Sequence, residues 1–98
     1  MKILENKTIK IERDGQVIEK KYSELIIESL NIIPEGGFRG LESMEQSLKL
    51  IRLAKEARDV IEFEDADVSK VQQSVNLMGF AVLSEQIVQF LRDVKEIK

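Results

Sequence analysis

The chain contains no histidine and no cysteine. The first absence removes imidazole, the side chain that most readily moves protons near neutral pH. The second removes thiolate nucleophiles, disulfides and the thiolate ligands of zinc sites. Tryptophan is also missing, and one tyrosine and four phenylalanines are the whole aromatic complement. A core must therefore come from Ile, Leu and Val. Neither sign of charge dominates: 15 basic against 18 acidic residues leave a net charge of −3. A general nucleic-acid binder usually shows a basic excess, so this balance argues against one. No apolar run approaches the ~18 residues that a membrane span needs. Charges interrupt Met1–Lys7 at once, which excludes a signal-peptide apolar region there. A soluble, cytoplasmic chain is expected, and the lack of cysteine is compatible with that compartment.

What is present fits one small domain over residues 1–98. The hydrophobic share of 43% is too high for disorder, and the charged share of 34% is ordinary for a globular surface. A chain of this length can bury a core but is only marginally stable alone.

Residues 7–22 predict a β-hairpin. Asp14-Gly15 is the strongest turn signal, because a type I′ turn needs positive φ at both central residues. A two-residue loop pairs Arg13 with Gln16, Ile11 with Ile18, Lys10 with Glu19 and Ile9 with Lys20. Ile9, Ile11 and Ile18 then share one face, with Lys10 and Glu19 as an ion pair on the other. Such a hairpin is marginal in isolation and must pack on helices or on a copy of itself.

Four helices follow in the expected order. The first covers about 24–33, with Ser23 as N-cap and Pro34 ending it. Segment 34–40 holds the single proline and three of the five glycines, and is the one real loop. The second helix covers about 41–58. Gly40 or a Ser43–Gln46 capping box can start it. It carries two apolar stripes, Leu41, Met44, Leu48 and Ile51 on one side and Leu50, Leu53, Ala54 and Ala57 on another. Val60–Glu64 reads as a short strand or extended link. The third helix, about 67–78, places Val68, Val71, Val75 and Met78 at core spacing, with Gly79 as its C′ residue. The fourth, about 84–96, has Ser84 as cap and Ile87, Phe90, Leu91, Val94 and Ile97 facing inward. The fold class is α+β: an N-terminal hairpin followed by about four short helices, mainly helical.

Four features could carry chemistry. Glu62, Glu64, Asp65 and Asp67 are a dense acidic cluster, but Ser69 and Lys70 break the calcium-loop pattern, and capping of a helix N-terminus explains the cluster better. Lys49, Arg52, Lys55 and Arg58 recur every three residues; with Arg39 they offer an anion site at Arg39, Lys49, Arg52 and Arg58 for a small anionic ligand. The spacing drifts around the helix, and Glu45–Lys49, Arg52–Glu56 and Lys55–Asp59 also stand at ion-pairing distance. Gly36-Gly37-Phe38-Arg39-Gly40 lacks the P-loop order and its lysine, so a turn is the simpler reading. The serines have no G-x-S-x-G setting and no histidine base, so no catalytic residue, metal or cofactor is expected, and the chain reads as a non-enzyme.

The last feature is an apolar excess on the first two helices. A helix apolar on several sides is central to a core or shared with a partner. Ile26, Ile27, Leu30 and Ile33 are the expected interface, which predicts a homo-oligomer, most simply a symmetric dimer.

Gly40-Leu41-Glu42-Ser43-Met44, Phe63-Glu64-Asp65-Ala66-Asp67-Val68, and Met78-Gly79-Phe80 followed by Ile87–Val94 resemble small uncharacterised proteins of tailed phages and prophages. The resemblance covers roughly residues 40–95 and leaves the hairpin outside. It implies a phage-encoded protein in the host cytoplasm, and no catalytic residue. Together these readings lead to a non-catalytic, self-associating assembly module that binds a protein partner. The alternative is a phage anti-defence protein that sequesters an anionic signalling nucleotide in an oligomer pocket.

Overall fold

The computed structural model describes residues 1–33, 37, 40–80 and 84–97. In chain order the elements are β1 (Lys2–Glu5), β2 (Thr8–Arg13), β3 (Gln16–Lys21), α1 (Tyr22–Leu30), α2 (Leu41–Glu56), β4 (Val60–Phe63), α3 (Asp65–Asn76) and α4 (Glu85–Lys95). This is the expected α+β class, with one addition: β1 precedes the hairpin and pairs antiparallel with β4.

The hairpin forms in the register that the Asp-Gly turn dictates, with Arg13 opposite Gln16, Ile11 opposite Ile18 and Lys10 opposite Glu19. Asp14 and Gly15 both have positive φ, 53° and 77°, as a type I′ turn requires. Lys10 and Glu19 also make the cross-strand ion pair, at 3.7 Å. The three isoleucines of the inner face differ in depth. Ile9 is buried, Ile11 half-buried and Ile18 exposed. The hairpin therefore packs only at its base, against α1 and α4, and its turn end projects into solvent. On the β2 edge, the Lys10 backbone N–H donates to Gln86 Oε1 of α4 at 2.7 Å, which satisfies one otherwise unpaired edge group.

The second small sheet closes the other side of the core. Leu4 faces Ile61, and all three of Leu4, Ile61 and Phe63 are buried. Asn6 ties this sheet to the start of α1. Its Oδ1 accepts the Ser23 N–H at 2.9 Å, and its Nδ2 donates to the Arg58 carbonyl at 2.8 Å.

The helix boundaries correct several expectations. The first helix begins at Tyr22, so Ser23 is buried inside its first turn and Lys21 takes the N-cap place. The chain turns straight from β3 into α1, because the Tyr22 N–H finds the Lys7 carbonyl at 2.9 Å. Gly40, with φ of 79°, is the cap residue of α2. The third helix starts two residues earlier than expected and ends at Asn76. Leu77 then adopts a right-handed helical conformation, and Leu77 and Met78 close tight turns onto Ser74 and Val75. Gly79 is not a left-handed C′ residue. Ser84 caps α4 as read from the sequence, its Oγ accepting the Ile87 N–H.

One apolar cluster draws on every one of these elements except β3. It includes Leu25, Ile26 and Leu30 of α1, Leu50 and Ala54 of α2, Val68, Val71 and Val75 of α3, and Ile87, Phe90 and Val94 of α4. Tyr22 sits at its rim with its ring edge-on to Phe90, centroids 4.9 Å apart. The Tyr22 hydroxyl donates to Asp93 Oδ2 at 2.7 Å, and Asp93 also accepts from Gln89 at 2.8 Å and Lys7 at 3.3 Å. Burial, followed by the bond to Asp93 and the charge of that carboxylate, pushes the Tyr22 hydroxyl pKa well above its ordinary value. Burial opposes ionisation of Asp93, but its three donors outweigh it and hold the carboxyl below the usual range.

Candidate functional site: the outer face of α2

The two apolar stripes of α2 have different fates. Ser47, Leu50 and Ala54, at spacing i, i+3, i+7, are buried against the core. Leu41, Met44 and Leu48 repeat the same spacing on a second face and are 72%, 46% and 50% exposed. Ile51, the fourth member of that stripe, is half-buried at its margin. At about 100° per residue the two rows lie about a third of a turn apart, so the rotation that buries one leaves the other toward solvent.

A polar clamp at the start of α3 sets this rotation. Asp67 is buried, and its two carboxylate oxygens accept from Gln46 Nε2 and Lys49 Nζ, each at 2.9 Å. Lys49 also reaches Glu64 at 3.2 Å. Burial alone would raise the Asp67 pKa, but the bonds from Gln46 and Lys49, with the lysine charge, bring it below its ordinary value. The bonds to Asp67 and then Glu64 raise that of Lys49. Asp67 is thus a structural tie between α2 and α3. Asp65 and Glu62 are exposed, and among the described residues no three acidic groups gather as a metal-ligand set. The i,i+4 pairs expected within α2 give way to this arrangement: Lys49 turns to α3 and not to Glu45, because a buried carboxylate attracts the ammonium more strongly than an exposed one.

The basic residues expected to hold an anion are partly brought together. Lys49, Arg52 and Arg58 line one open hollow of about 630 Å³ beside α2, shared with Glu56 and Glu62. A neighbouring hollow of about 550 Å³ runs along α2 past Glu42, Glu45, Leu48 and Arg52. Arg39, with most of segment 34–40, lies outside the described residues. Carboxylates interleave with the cations throughout, so neither hollow presents a purely basic lining.

The expected interface on α1 is mostly internal. Ile26 and Leu30 belong to the core and are closed to solvent, so they are not available to a partner. Ile27 is half-buried, and only Ile33, 71% exposed and beyond the end of α1, lies open. Exposed apolar residues also occur singly on the strands and the other helices, but a row of them at helical spacing falls on α2, whose double stripe was legible in the sequence. Only the side to be buried was not. The clamp at Asp67 was missed because its partners are 18 and 21 positions away and no spacing rule links them.

No family model, curated protein or solved structure matches the chain.

Proposed function

We propose that this chain is a non-catalytic interaction module that works by self-association. The observation that carries the reading is the exposed row Leu41, Met44 and Leu48 on a helix whose other apolar row already fills the core. Single exposed apolar residues are ordinary on soluble proteins. A row at helical spacing is a continuous patch, and contiguous apolar patches mark interaction surfaces. In this reading the chain is phage-encoded and works in the host cytoplasm, where a repeated surface would be offered to a larger particle or a host protein. Light scattering after size exclusion tests the reading. It predicts a mass that rises with concentration toward a defined oligomer. A monomer mass across roughly 10 μM to 1 mM would refute it, since even a small interface should show itself in that range.

A second reading, capture of a small anionic ligand such as a signalling nucleotide, is favoured by the convergence of Lys49, Arg52 and Arg58 on one hollow. The carboxylates in the same lining and the engagement of Lys49 by Asp67 weigh against it. A ligand present well above its Kd must raise the melting temperature. Thermal shift with cyclic and linear nucleotides and inorganic phosphate decides the matter, and no shift with any of them would end this reading.

A further inference from the structure

The self-association reading leaves open how two copies would meet, and the charges beside the exposed row answer that. Viewed down α2, Glu45 and Arg52 lie on the same flank of the row, seven residues or about two turns apart. Both are exposed, and among the described residues neither forms an ion pair within the chain. They are opposite in sign and stand three residues before and four residues after Leu48, the C-terminal member of the row. That is the pattern of a surface that complements itself under a twofold rotation.

We propose that α2 pairs antiparallel with α2 of a second copy, about a twofold axis beside Leu48. This inference rests on the self-association reading and specifies its geometry. In an antiparallel helix pair related by such an axis, each flank meets the same flank of the other helix in reverse order. Glu45 of one copy then faces Arg52 of the other, and the contact occurs twice. Leu48 meets its own counterpart at the centre, and Met44 packs beside it. Lys55, seven residues after Leu48 and so in line with the row, lays its aliphatic stem toward Leu41 of the second copy while its ammonium stays in water. The parallel alternative sets that flank against the opposite one, which carries Ser47 and Ile51 and offers neither Glu45 nor Arg52 an opposite charge. Antiparallel pairing also sets the two helix dipoles in the favourable sense. The clamp of Lys49 to Asp67 fits this arrangement, since it turns that lysine away from the seam toward α3. A seam of one helix per copy is at the small end of specific interfaces, so the dimer should be weak and concentration-dependent.

Sedimentation equilibrium on the full chain tests the geometry with four variants: Leu48→Glu, Glu45→Arg, Arg52→Glu and the double charge exchange Glu45→Arg/Arg52→Glu. Circular dichroism and melting temperature are followed for each. Leu48→Glu places like charges at the centre and should weaken the dimer at least roughly tenfold. Each single charge reversal sets like charges opposite each other at both contacts and should weaken it several-fold. The double exchange restores both contacts with the signs reversed and should recover dimerisation to near the parent level, which a general loss of stability would not produce. A parent chain that dimerises while all four variants dimerise equally well refutes the α2 seam but leaves self-association standing. A parent chain that is monomeric throughout refutes both, and assigns the row to a different kind of partner. If Leu48→Glu unfolds, the charge exchange decides: singles that weaken the dimer without recovery in the double exchange overturn the antiparallel register.

Discussion

Replacing Asp67 with Asn should expose how much of the α2 orientation depends on one carboxylate. The substitution keeps the shape of the side chain and removes its charge. Of the two bonds that Asp67 accepts, from Gln46 and Lys49 at 2.9 Å each, the amide can retain one through its oxygen, while its NH2 group turns toward a donor. Hydrogen bonds to a charged group contribute about 1.5–3 kcal/mol. Lys49 is half exposed, so solvent screens its share and the lower part of that range applies. The expected loss is about 2 kcal/mol, which for a domain of this size lowers Tm by about 8–16 °C. Glu64→Gln is the internal control. Glu64 binds the same lysine but is exposed, so its loss should stay within about 0.5 kcal/mol. The pH dependence sharpens the test. The folded-state pKa of Asp67 is depressed, so its contribution is complete above the unfolded value of about 3.9 and is lost as pH falls through the folded value. The gap between parent and Asp67→Asn should therefore be full at neutral pH and close progressively below about pH 4. Thermal melts by circular dichroism at several pH values measure this. A variant that melts within about 2 °C of the parent at pH 7 would refute the clamp, as would a gap that does not shrink in acid.

Three further outcomes follow from contacts already described. Tyr22→Phe keeps the ring against Phe90 but removes the donor to Asp93, and should cost about 1.5–2 kcal/mol at pH 7. The raised folded-state pKa of Tyr22 means that its contribution is present below about pH 10 and lost as pH rises beyond it, so the variant should show a flatter alkaline limb in pH-dependent melts. Gly15→Ala forces a β-carbon into the left-handed region at φ 77°; nothing lies within 4 Å of that carbon, so the cost of about 1–2 kcal/mol is purely conformational and should appear in the melting temperature. Gln72→Ala removes an amide that donates to the carbonyls of Val94, Lys95 and Ile97 at 3.1–3.3 Å; amide exchange should accelerate in the last turn of α4 while the turns around Phe90 keep their protection.

The sequence by itself determined the local parts of this protein. The Asp-Gly pair leaves the chain one compact way to reverse, and that choice propagates into the pairing of Thr8–Arg13 with Gln16–Lys21. The spacing of valines in α3 and of Ile87, Phe90 and Val94 in α4 names the buried side of each helix, because each has only one apolar face. The doubled apolar pattern of α2 was equally plain, and with it the surplus of apolar surface that favours association. Distant pairings were beyond its reach. Lys2–Glu5 is too short and too mixed to announce a strand, and it becomes one only because β4, nearly 60 positions away, supplies the partner edge. Nothing local distinguishes Leu48 from Leu50. Tertiary structure made that choice by placing Asp67 where Gln46 and Lys49 could both reach it, so the helix turned Leu50 inward and left Leu48 in water. The physical reason is one of range: backbone sterics and helical period act over a few residues, whereas the burial of a shared carboxylate depends on which elements the whole chain brings together.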